Sequence, residues 1–148
     1  MRHINHKNII KTSDFIKDEE MGVYIIIMEY FPSVPLETFL KIHQTKNEDQ
    51  LLLCQEIFEA LLFLHENFIA HRDFTASNIL VNPETFEIKI IDFGLSRRNF
   101  DVSEPYAPEG NMKYRAPSLE IFQNLDAADM WSLGLIFLSV FYKKSIKK

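Results

Sequence analysis

The sequence is poor in glycine and cysteine, and each shortage excludes a type of site. Its 148 residues include only four glycines, and no two of them lie close together. A Gly-rich phosphate loop of the GxGxxG or GxxxxGK type is therefore excluded, and any bound nucleotide must have its phosphates held by other residues or from outside this chain. The single cysteine, Cys54, cannot form an intrachain disulfide, which fits a reducing compartment. Because Cys54 lies among leucines, we interpret it as a core residue rather than a nucleophile.

The sequence also lacks a strong charge bias and a long apolar run. Lys and Arg number 16 against 21 Asp and Glu, and the net charge of −5 gives no general attraction to nucleic acid. The longest nearly apolar run, Met130–Tyr142, is shorter than the roughly 20 residues that span a bilayer. The first residues contain no apolar segment of an export signal. We therefore expect one soluble, cytoplasmic domain that binds neither nucleic acid nor membrane.

Apolar periodicity predicts two long helices and one β-hairpin. Leu51–Phe68 repeats large apolar residues at helical spacing, and Leu125–Tyr142 is apolar nearly all round, which is typical of an enclosed helix. Asn78–Val81 and Glu87–Ile91 are short apolar runs separated by a turn signal, as in a hairpin. Two further elements are predicted, the buried strand Val23–Met28 and the short helix Leu36–Ile42.

The residues with the clearest chemistry flank the predicted hairpin. The segment His71–Asn78 leads into its first strand, and Asp92–Gly94 follows its second strand. Two carboxylates, Asp73 and Asp92, and the amide of Asn78 are thereby placed at the ends of adjacent strands. Carboxylate and amide oxygens suit Mg²⁺, which proteins usually share with substrate phosphates. An aspartate that lies beside an arginine and outside the metal set is suited to orient a hydroxyl and accept its proton.

Four motifs, in order along nearly the whole chain, resemble the C-terminal lobe of a eukaryotic protein kinase. They are HRD-x₄-N at His71–Asn78, DFG at Asp92–Gly94, AP at Ala116–Pro117 and D-x-W-S-x-G at Asp129–Gly134. The resemblance implies an α+β, mainly helical fold. It places the end of the N-terminal lobe and the hinge in residues 1–31. Residues 32–148 would form the C-terminal lobe as far as the αF-like helix.

The resemblance assigns roles to the matching residues. Asp73 would accept the proton of the attacking hydroxyl, while Asn78 and Asp92 would hold Mg²⁺ on the phosphates of ATP. Arg72 would pair with a phosphorylated activation loop, where Ser103 and Tyr106 are available acceptors. The αF-like helix would anchor the loop through an aspartate that accepts backbone N–H groups; this aspartate is Asp129.

The resemblance also implies an adenine site and a packing contact. The backbone of Glu29 and Phe31 would bond to the adenine edge, and Leu80 would pack beneath the ring. His71 and Phe93 would stack on each other and keep the site aligned.

The implied function is transfer of a phosphoryl group from Mg²⁺-ATP to a protein hydroxyl. The segment Gly110–Pro117 resembles the Ser/Thr type more than the Tyr type. The Gly-rich loop, the β3 lysine and the αC glutamate would all precede Met1, so we expect impaired activity from this chain. Thr75 stands where the family usually has lysine, and Asn111 where it usually has threonine. The two changes compensate if the Thr75 hydroxyl meets the Asn111 amide.

Two alternative functions are open at this point. The first is a catalytically inactive pseudokinase or kinase fragment that acts as a binding module. The absent N-terminal lobe favours it, whereas the intact Asp73, Asn78 and Asp92 disfavour it. The second is a small-molecule phosphotransferase, which Arg72 and Phe93–Gly94 disfavour. We also expect a partner protein to cover the apolar faces of Met130–Tyr142.

Overall fold

The computed structural model describes residues 4–98, 110–117 and 125–142; Ser103, Tyr106 and Ser118 lie outside these ranges. The described strands form three small sheets, β1–β2, β3–β5–β6 and β4–β7, in which every pair is antiparallel. The elements in chain order are β1 (Thr12–Asp18), β2 (Val23–Met28), β3 (Val34–Pro35), α1 (Leu36–Ile42), α2 (Asn47–Glu66), β4 (Ile69–Ala70), β5 (Ile79–Val81), β6 (Ile88–Ile90), β7 (Arg97–Arg98) and α3 (Leu125–Tyr142).

Helix α2 forms the centre of the core. It begins at Asn47, ahead of the predicted Leu51, because the Asp49 carboxylate accepts the Lys46 N–H at 2.9 Å and closes the first turn. It ends at Glu66, shortly before Phe68 adopts a positive φ of 58°. The buried face of the helix consists of Leu53, Cys54, Ile57, Ala60, Leu61 and Leu64. The interpretation of Cys54 as a core residue is confirmed, and its burial raises the pKa of the thiol to about 11.

Residues Leu125–Tyr142 are helical as predicted, and this helix, α3, packs one face against α2 and β4. Leu133, Ile136 and Val140 are buried in this contact, and the buried Asp129 lies on the same helix. Within the described residues the other face is open, as expected for apolar faces that a partner would cover. Among the described helices, α3 alone is long and apolar enough to cross a membrane by length and composition. About a third of this helix is buried, on the face that packs on α2.

The predicted hairpin is present and carries two site residues at its open end. Strands β5 and β6 pair in a register that sets Ile79 opposite Ile90. The Asn82 side chain closes the turn by accepting backbone N–H groups of the next residues. Asn78 precedes β5 and Asp92 follows β6, so both lie at the end of the hairpin opposite the turn.

Strands β1 and β2 form an exposed ribbon. The strand Val23–Met28 is present as predicted, but the prediction that it is buried is wrong. Each residue of β2 is between 43% and 63% exposed. In the described part of the chain β2 pairs with β1 and with no other strand, so its second edge is unpaired and its side chains stay largely exposed.

Candidate active site

The loop between β4 and β5 is held by one carboxylate. This segment, His71–Asn78, is called the 71–78 loop. Asp129 of α3 is 1% exposed, and it accepts the His71 N–H at 2.6 Å and the Arg72 N–H at 2.9 Å. The His65 Nε2 atom lies 3.2 Å from the same carboxylate. The prediction that Asp129 accepts backbone N–H groups of this loop is confirmed. The anchor holds Arg72 at a positive φ of 69°, a conformation that costs free energy for a residue with a side chain.

The carboxylate of Asp73 is hydrogen-bonded at both oxygens. Oδ2 accepts the Asn78 Nδ2–H at 2.9 Å, and Oδ1 accepts the Asn111 backbone N–H at 2.9 Å. Asn78 Nδ2 also donates to the Asp73 carbonyl oxygen at 2.9 Å. Asp73 is only half-buried, so its carboxylate is both fixed in direction and reachable from solvent. Such a group can accept a proton from a hydroxyl that is brought within hydrogen-bond distance.

The segment that begins at Gly110 approaches the 71–78 loop more closely than a side chain allows. Gly110 has a φ of +82°, and a Cβ there would lie 2.5 Å from the Arg72 carbonyl oxygen and 3.1 Å from Asp73 Oδ1. Further along the segment, the Ser132 hydroxyl of α3 donates to the Tyr114 carbonyl oxygen at 2.9 Å. The segment is thus tied to α3 while its first residue touches the loop.

Thr75 and Asn111 line one small cavity of about 30 Å³. The Thr75 hydroxyl lies 2.8 Å from the Ser77 hydroxyl, and Asn111 Oδ1 accepts the Lys113 N–H at 3.0 Å. Both side chains therefore find partners two residues away along the chain. These local bonds take the place of the expected bond between Thr75 and Asn111, because nearby backbone and hydroxyl groups compete for short polar side chains.

Asn78 and Asp92 supply oxygen atoms suited to a hard cation. The Ile91 N–H donates to the Asn78 carbonyl oxygen at 2.9 Å. Because Asp92 follows Ile91, this bond places Asp92 near Asn78. Asp92 has a φ of 61°, and its Oδ1 accepts the Gly94 N–H at 3.2 Å. Within the described residues no bond engages Asn78 Oδ1 or Asp92 Oδ2.

The donor set also limits the choice of metal. The described ranges contain no cluster of three or more His, Cys, Asp or Glu residues able to hold a metal ion, as a zinc site would need. Two oxygen ligands fit Mg²⁺, which keeps several waters and binds substrate phosphates.

Glu29 and Phe31 are connected to the hairpin through Lys89. The Lys89 Nζ atom lies 2.9 Å from Glu29 Oε1 and 5.9 Å from the centre of the Phe31 ring. Leu80 is directly opposite Lys89 in the β5–β6 register. The ion pair with Lys89 is the main reason that the pKa of Glu29 is below its usual value. Glu29, Phe31 and Leu80, the three residues expected at an adenine ring, thus all lie close to Lys89 of β6.

The backbone after β2 offers both an acceptor and a donor. The Glu29 N–H donates to the Lys11 carbonyl oxygen at 2.9 Å. In the part of the chain that the structure describes, the Glu29 carbonyl oxygen and the Phe31 N–H make no hydrogen bond. This carbonyl oxygen and this N–H, two residues apart, can form two hydrogen bonds with a planar base that has a donor next to an acceptor.

An apolar cavity of about 620 Å³ opens between the β1–β2 ribbon and the residues after β6. This volume is within the range of small-molecule sites. Its lining comprises Ile10, Thr12, Phe15, Ile26, Met28, Ile91, Asp92, Phe93 and Gly94. Asp92 therefore faces the cavity, whereas Glu29, Phe31 and Leu80 lie outside its lining.

Residues 1–148 match the family model described as protein kinase domain. The chain belongs to the protein kinase family. It is 31% identical, over 97% of its length, to a probable casein kinase II subunit alpha homolog of Encephalitozoon cuniculi. It is 33% identical, over 92% of its length, to the serine/threonine-protein kinase ULK1 of Homo sapiens. The chain spans 45% and 14% of these two relatives.

A solved kinase structure has the same fold. The chain is similar to a protein chain in the yeast RNA Pol II CTD kinase CTDK-1 complex, with a TM-score of 0.82 and 27% identity. The match covers 99% of this chain and 49% of that chain. The predicted membership of the protein kinase family is confirmed, and the matched relatives named above include a serine/threonine kinase.

Residues of the HRD and DFG motifs lie close together in the structure. Arg72, Asp73 and Asn78 share the 71–78 loop, and Asp92 follows the residue that bonds to Asn78. Three contacts at the site involve residues outside the predicted set. His65 lies against the Asp129 carboxylate, Lys89 pairs with Glu29, and the Asn111 backbone N–H bonds to Asp73.

His71 of the HRD motif is buried and has a neutral ring. Its Nε2 lies 3.0 Å from the Ile91 carbonyl oxygen and must carry a hydrogen, since that oxygen only accepts; Nδ1 accepts the Asp73 N–H at 3.3 Å. The His71 and Phe93 ring centres are 4.9 Å apart, so the predicted contact is confirmed, with the planes tilted by 49°. Burial lowers the pKa of His71, although the Asp129 carboxylate acts in the opposite direction.

Acid should destabilise this kinase domain through His71. Because its pKa falls below 6.5 on folding, the unfolded state takes up a proton first. The stabilising contribution is therefore complete above pH 6.5 and is lost as the pH falls from there through the folded pKa. We expect the Tm, followed by circular dichroism, to fall as the pH is lowered from about 7 to about 5.5. His71→Gln should have a lower Tm but a flatter pH dependence. His43→Gln should keep the native slope, and equal slopes in both variants would contradict this assignment.

Proposed function

We propose that this kinase domain transfers the terminal phosphoryl group of ATP to a serine or threonine hydroxyl of a protein. The main support is the Asp73 carboxylate, which is held between the Asn78 amide and the Asn111 N–H on a loop anchored by Asp129. In the proposed step, Asp73 takes the proton of the substrate hydroxyl while the hydroxyl oxygen forms a bond to phosphorus. The bond from phosphorus to the leaving oxygen of ADP breaks.

We propose that Asn78 and Asp92 hold Mg²⁺ through their side-chain oxygens. When bound there, Mg²⁺ supplies positive charge that offsets the charge on the phosphates. Asn78 would then act in two ways, since its Nδ2–H orients Asp73 while its Oδ1 faces the metal. Arg72 would pair with a phosphorylated residue of the segment between β7 and Gly110.

The proposed layout has the end of the N-terminal lobe and the hinge in residues 1–31 and the C-terminal lobe in residues 32–148. Glu29 and Phe31 would bond to adenine through their backbone, and Leu80 would pack beneath the ring. The net charge of −5 supports a protein substrate rather than nucleic acid. A cytoplasmic location, and a partner on the open face of α3, are part of the same proposal. The apolar side chains on that face are Met130, Trp131, Leu138, Phe141 and Tyr142.

One observation favours a second candidate, a nucleotide-binding domain without transferase activity. Thr75 occupies the position of a lysine in the family, and its hydroxyl bonds to Ser77. No cation from this position would therefore meet the transferring phosphate. Since phosphoryl transfer depends on such electrostatic stabilisation, the loss would slow the reaction more than it weakens binding.

A transfer assay with matched variants tests the proposal. The chain is incubated with labelled ATP, Mg²⁺ and a peptide library containing serine, threonine and tyrosine. We expect label on serine and threonine. Asp73→Asn should lower kcat by about a hundredfold to ten-thousandfold, since the proton acceptor is removed, and should leave ATP affinity nearly unchanged. Glu84→Gln, in the exposed turn of the hairpin, is the control and should keep full activity.

The other outcomes separate the candidates. ATP binding that needs Mg²⁺ and is lost in Asp92→Asn, without any transfer, would support the second candidate. Transfer that is equally fast with Asp73→Asn would exclude Asp73 as the proton acceptor. Absence of ATP binding by the unsubstituted chain would overturn both candidates.

A further inference from the structure

Lys89 contacts two of the residues proposed to bind adenine. On β6 it lies between the buried Ile88 and Ile90, so its side chain projects to the opposite face of the hairpin. Its Nζ atom is 2.9 Å from Glu29 Oε1 and 5.9 Å from the Phe31 ring centre, a distance at which a cation attracts the ring face. The Lys89 side chain is 18% exposed and the Glu29 side chain 33% exposed, so the pair is partly screened by solvent.

The Glu29 carboxylate joins Lys89 to the chain that enters β1. Its Oε1 atom accepts the Lys11 N–H at 2.9 Å, and the Glu29 N–H in turn donates to the Lys11 carbonyl oxygen at 2.9 Å. Glu29 is thus bound to Lys11 through both its backbone and its side chain. Lys89 holds the same carboxylate from the side of the hairpin.

The backbone from Glu29 to Phe31 has little other support. It belongs to no helix or strand, and Tyr30 between them is 90% exposed. The Ser33 hydroxyl donates to the Phe31 carbonyl oxygen at 2.9 Å, which fixes the far side of Phe31. The direction of the Glu29 carbonyl and the Phe31 N–H therefore depends on how the two side chains are held.

We propose that Lys89 is a positioning residue that sets the direction of the Glu29 carbonyl and the Phe31 N–H and thereby selects adenine over other bases. This inference rests on the proposed function, because it requires that this backbone binds the base. Lys89 acts through Glu29 and Phe31. Because Ile91 and Asp92 directly follow β6, the position of this strand would affect both the base edge and the metal carboxylate.

The first test compares three ligands of Lys89→Met by titration calorimetry: Mg²⁺-ATP, Mg²⁺-GTP and Mg²⁺-tripolyphosphate. We expect ATP affinity to fall by about tenfold, since one ion pair and one cation–π contact are lost. The affinities for GTP and tripolyphosphate should change by less than about twofold. Removing a positive charge near the phosphates would weaken all three alike, and that result would overturn the proposal.

Control and partner variants separate positioning from general damage. Lys17→Met removes the Lys17–Glu19 ion pair, whose length is also 2.9 Å, from the β1–β2 ribbon and should leave all three affinities unchanged. Lys89→Arg should keep the preference for ATP. Glu29→Gln keeps an oxygen for the Lys11 N–H but loses the charge, and it should lose the preference for ATP as Lys89→Met does.

A second measurement needs no nucleotide. Hydrogen exchange of the Glu29 amide, followed by NMR, should become at least about tenfold faster in Lys89→Met and stay native in Lys89→Arg. An unchanged exchange rate in Lys89→Met would overturn the positioning role even if ATP still binds. Failure of the unsubstituted chain to bind ATP would instead overturn the proposed function, and this inference with it.

Discussion

Asp129→Asn is expected to disorganise the 71–78 loop, although Asp129 itself belongs to α3. The His71 N–H bonds to Oδ2 at 2.6 Å and the Arg72 N–H to Oδ1 at 2.9 Å, and asparagine keeps an oxygen at only one of these two positions. One buried N–H would then face another donor. Because bonds to a buried charge are lost, the free energy of unfolding should fall by about 3 kcal/mol or more. Urea denaturation followed by circular dichroism measures this loss.

The same substitution at Asp126 is the control for the anchor. Asp126 lies one turn earlier on α3, its side chain is 35% exposed, and its carboxylate is 3.6 Å from His65. Asp126→Asn should therefore cost about 1 kcal/mol or less. A similar loss in both variants would mean that Asp129 contributes no more than an ordinary surface aspartate. Transferase activity, where it is measurable, should fall with Asp129→Asn and persist with Asp126→Asn.

Gly110→Ala is expected to separate the segment after Gly110 from the 71–78 loop. The added Cβ would lie 2.5 Å from the Arg72 carbonyl oxygen, closer than such atoms approach in folded proteins. Relief of this overlap must lengthen the bond from the Asn111 N–H to Asp73. The carboxylate would then lose one of the two hydrogen bonds that orient it, and kcat should fall by about a hundredfold. The transfer assay described for Asp73 measures this change.

Gly22→Ala is a matched control because Gly22 also has a positive φ, of +65°, but nothing lies within 4 Å of the position of its Cβ. Both variants carry the cost of placing alanine at positive φ, about 1 kcal/mol. Only Gly110→Ala adds the overlap with Arg72. Equal effects on kcat in the two variants would rule out the close approach at Gly110 as the cause.

The elements that sequence reasoning located correctly are those set by local pattern. Helix Leu36–Ile42 has its predicted bounds, and residues Leu125–Tyr142 are helical as their apolar spacing predicts. The start of α2 was placed late because the Asp49 side chain extends the helix toward Asn47, and this depends on a single hydrogen bond. The position of β2 agrees with the prediction, but its side chains are exposed instead of buried. Exposure depends on what packs on the faces of a sheet, and an apolar run cannot specify what will cover it.

The missed elements and residues depend on distant segments. Strand β4 exists because Ile69 pairs with Arg98, far away in the sequence. Lys89 is recognisable in retrospect as the charged residue between two buried isoleucines of a strand. His65 lies beside the buried Leu64 near the end of α2, and its contact with Asp129 appears only when α3 packs on α2. The catalytic motifs were readable because their residues are close together in the sequence.

The bonds from His71 and Arg72 to Asp129 have a consequence for the order of events during synthesis. Asp129 follows His71 by 58 residues. Translation adds about 5–20 residues per second, so the loop waits roughly 3–12 s for its acceptor after it is made. Until α3 emerges, the loop has no carboxylate to impose the positive φ of Arg72. A nascent chain can thus carry the complete HRD sequence while the shape that gives this sequence its chemistry does not yet exist.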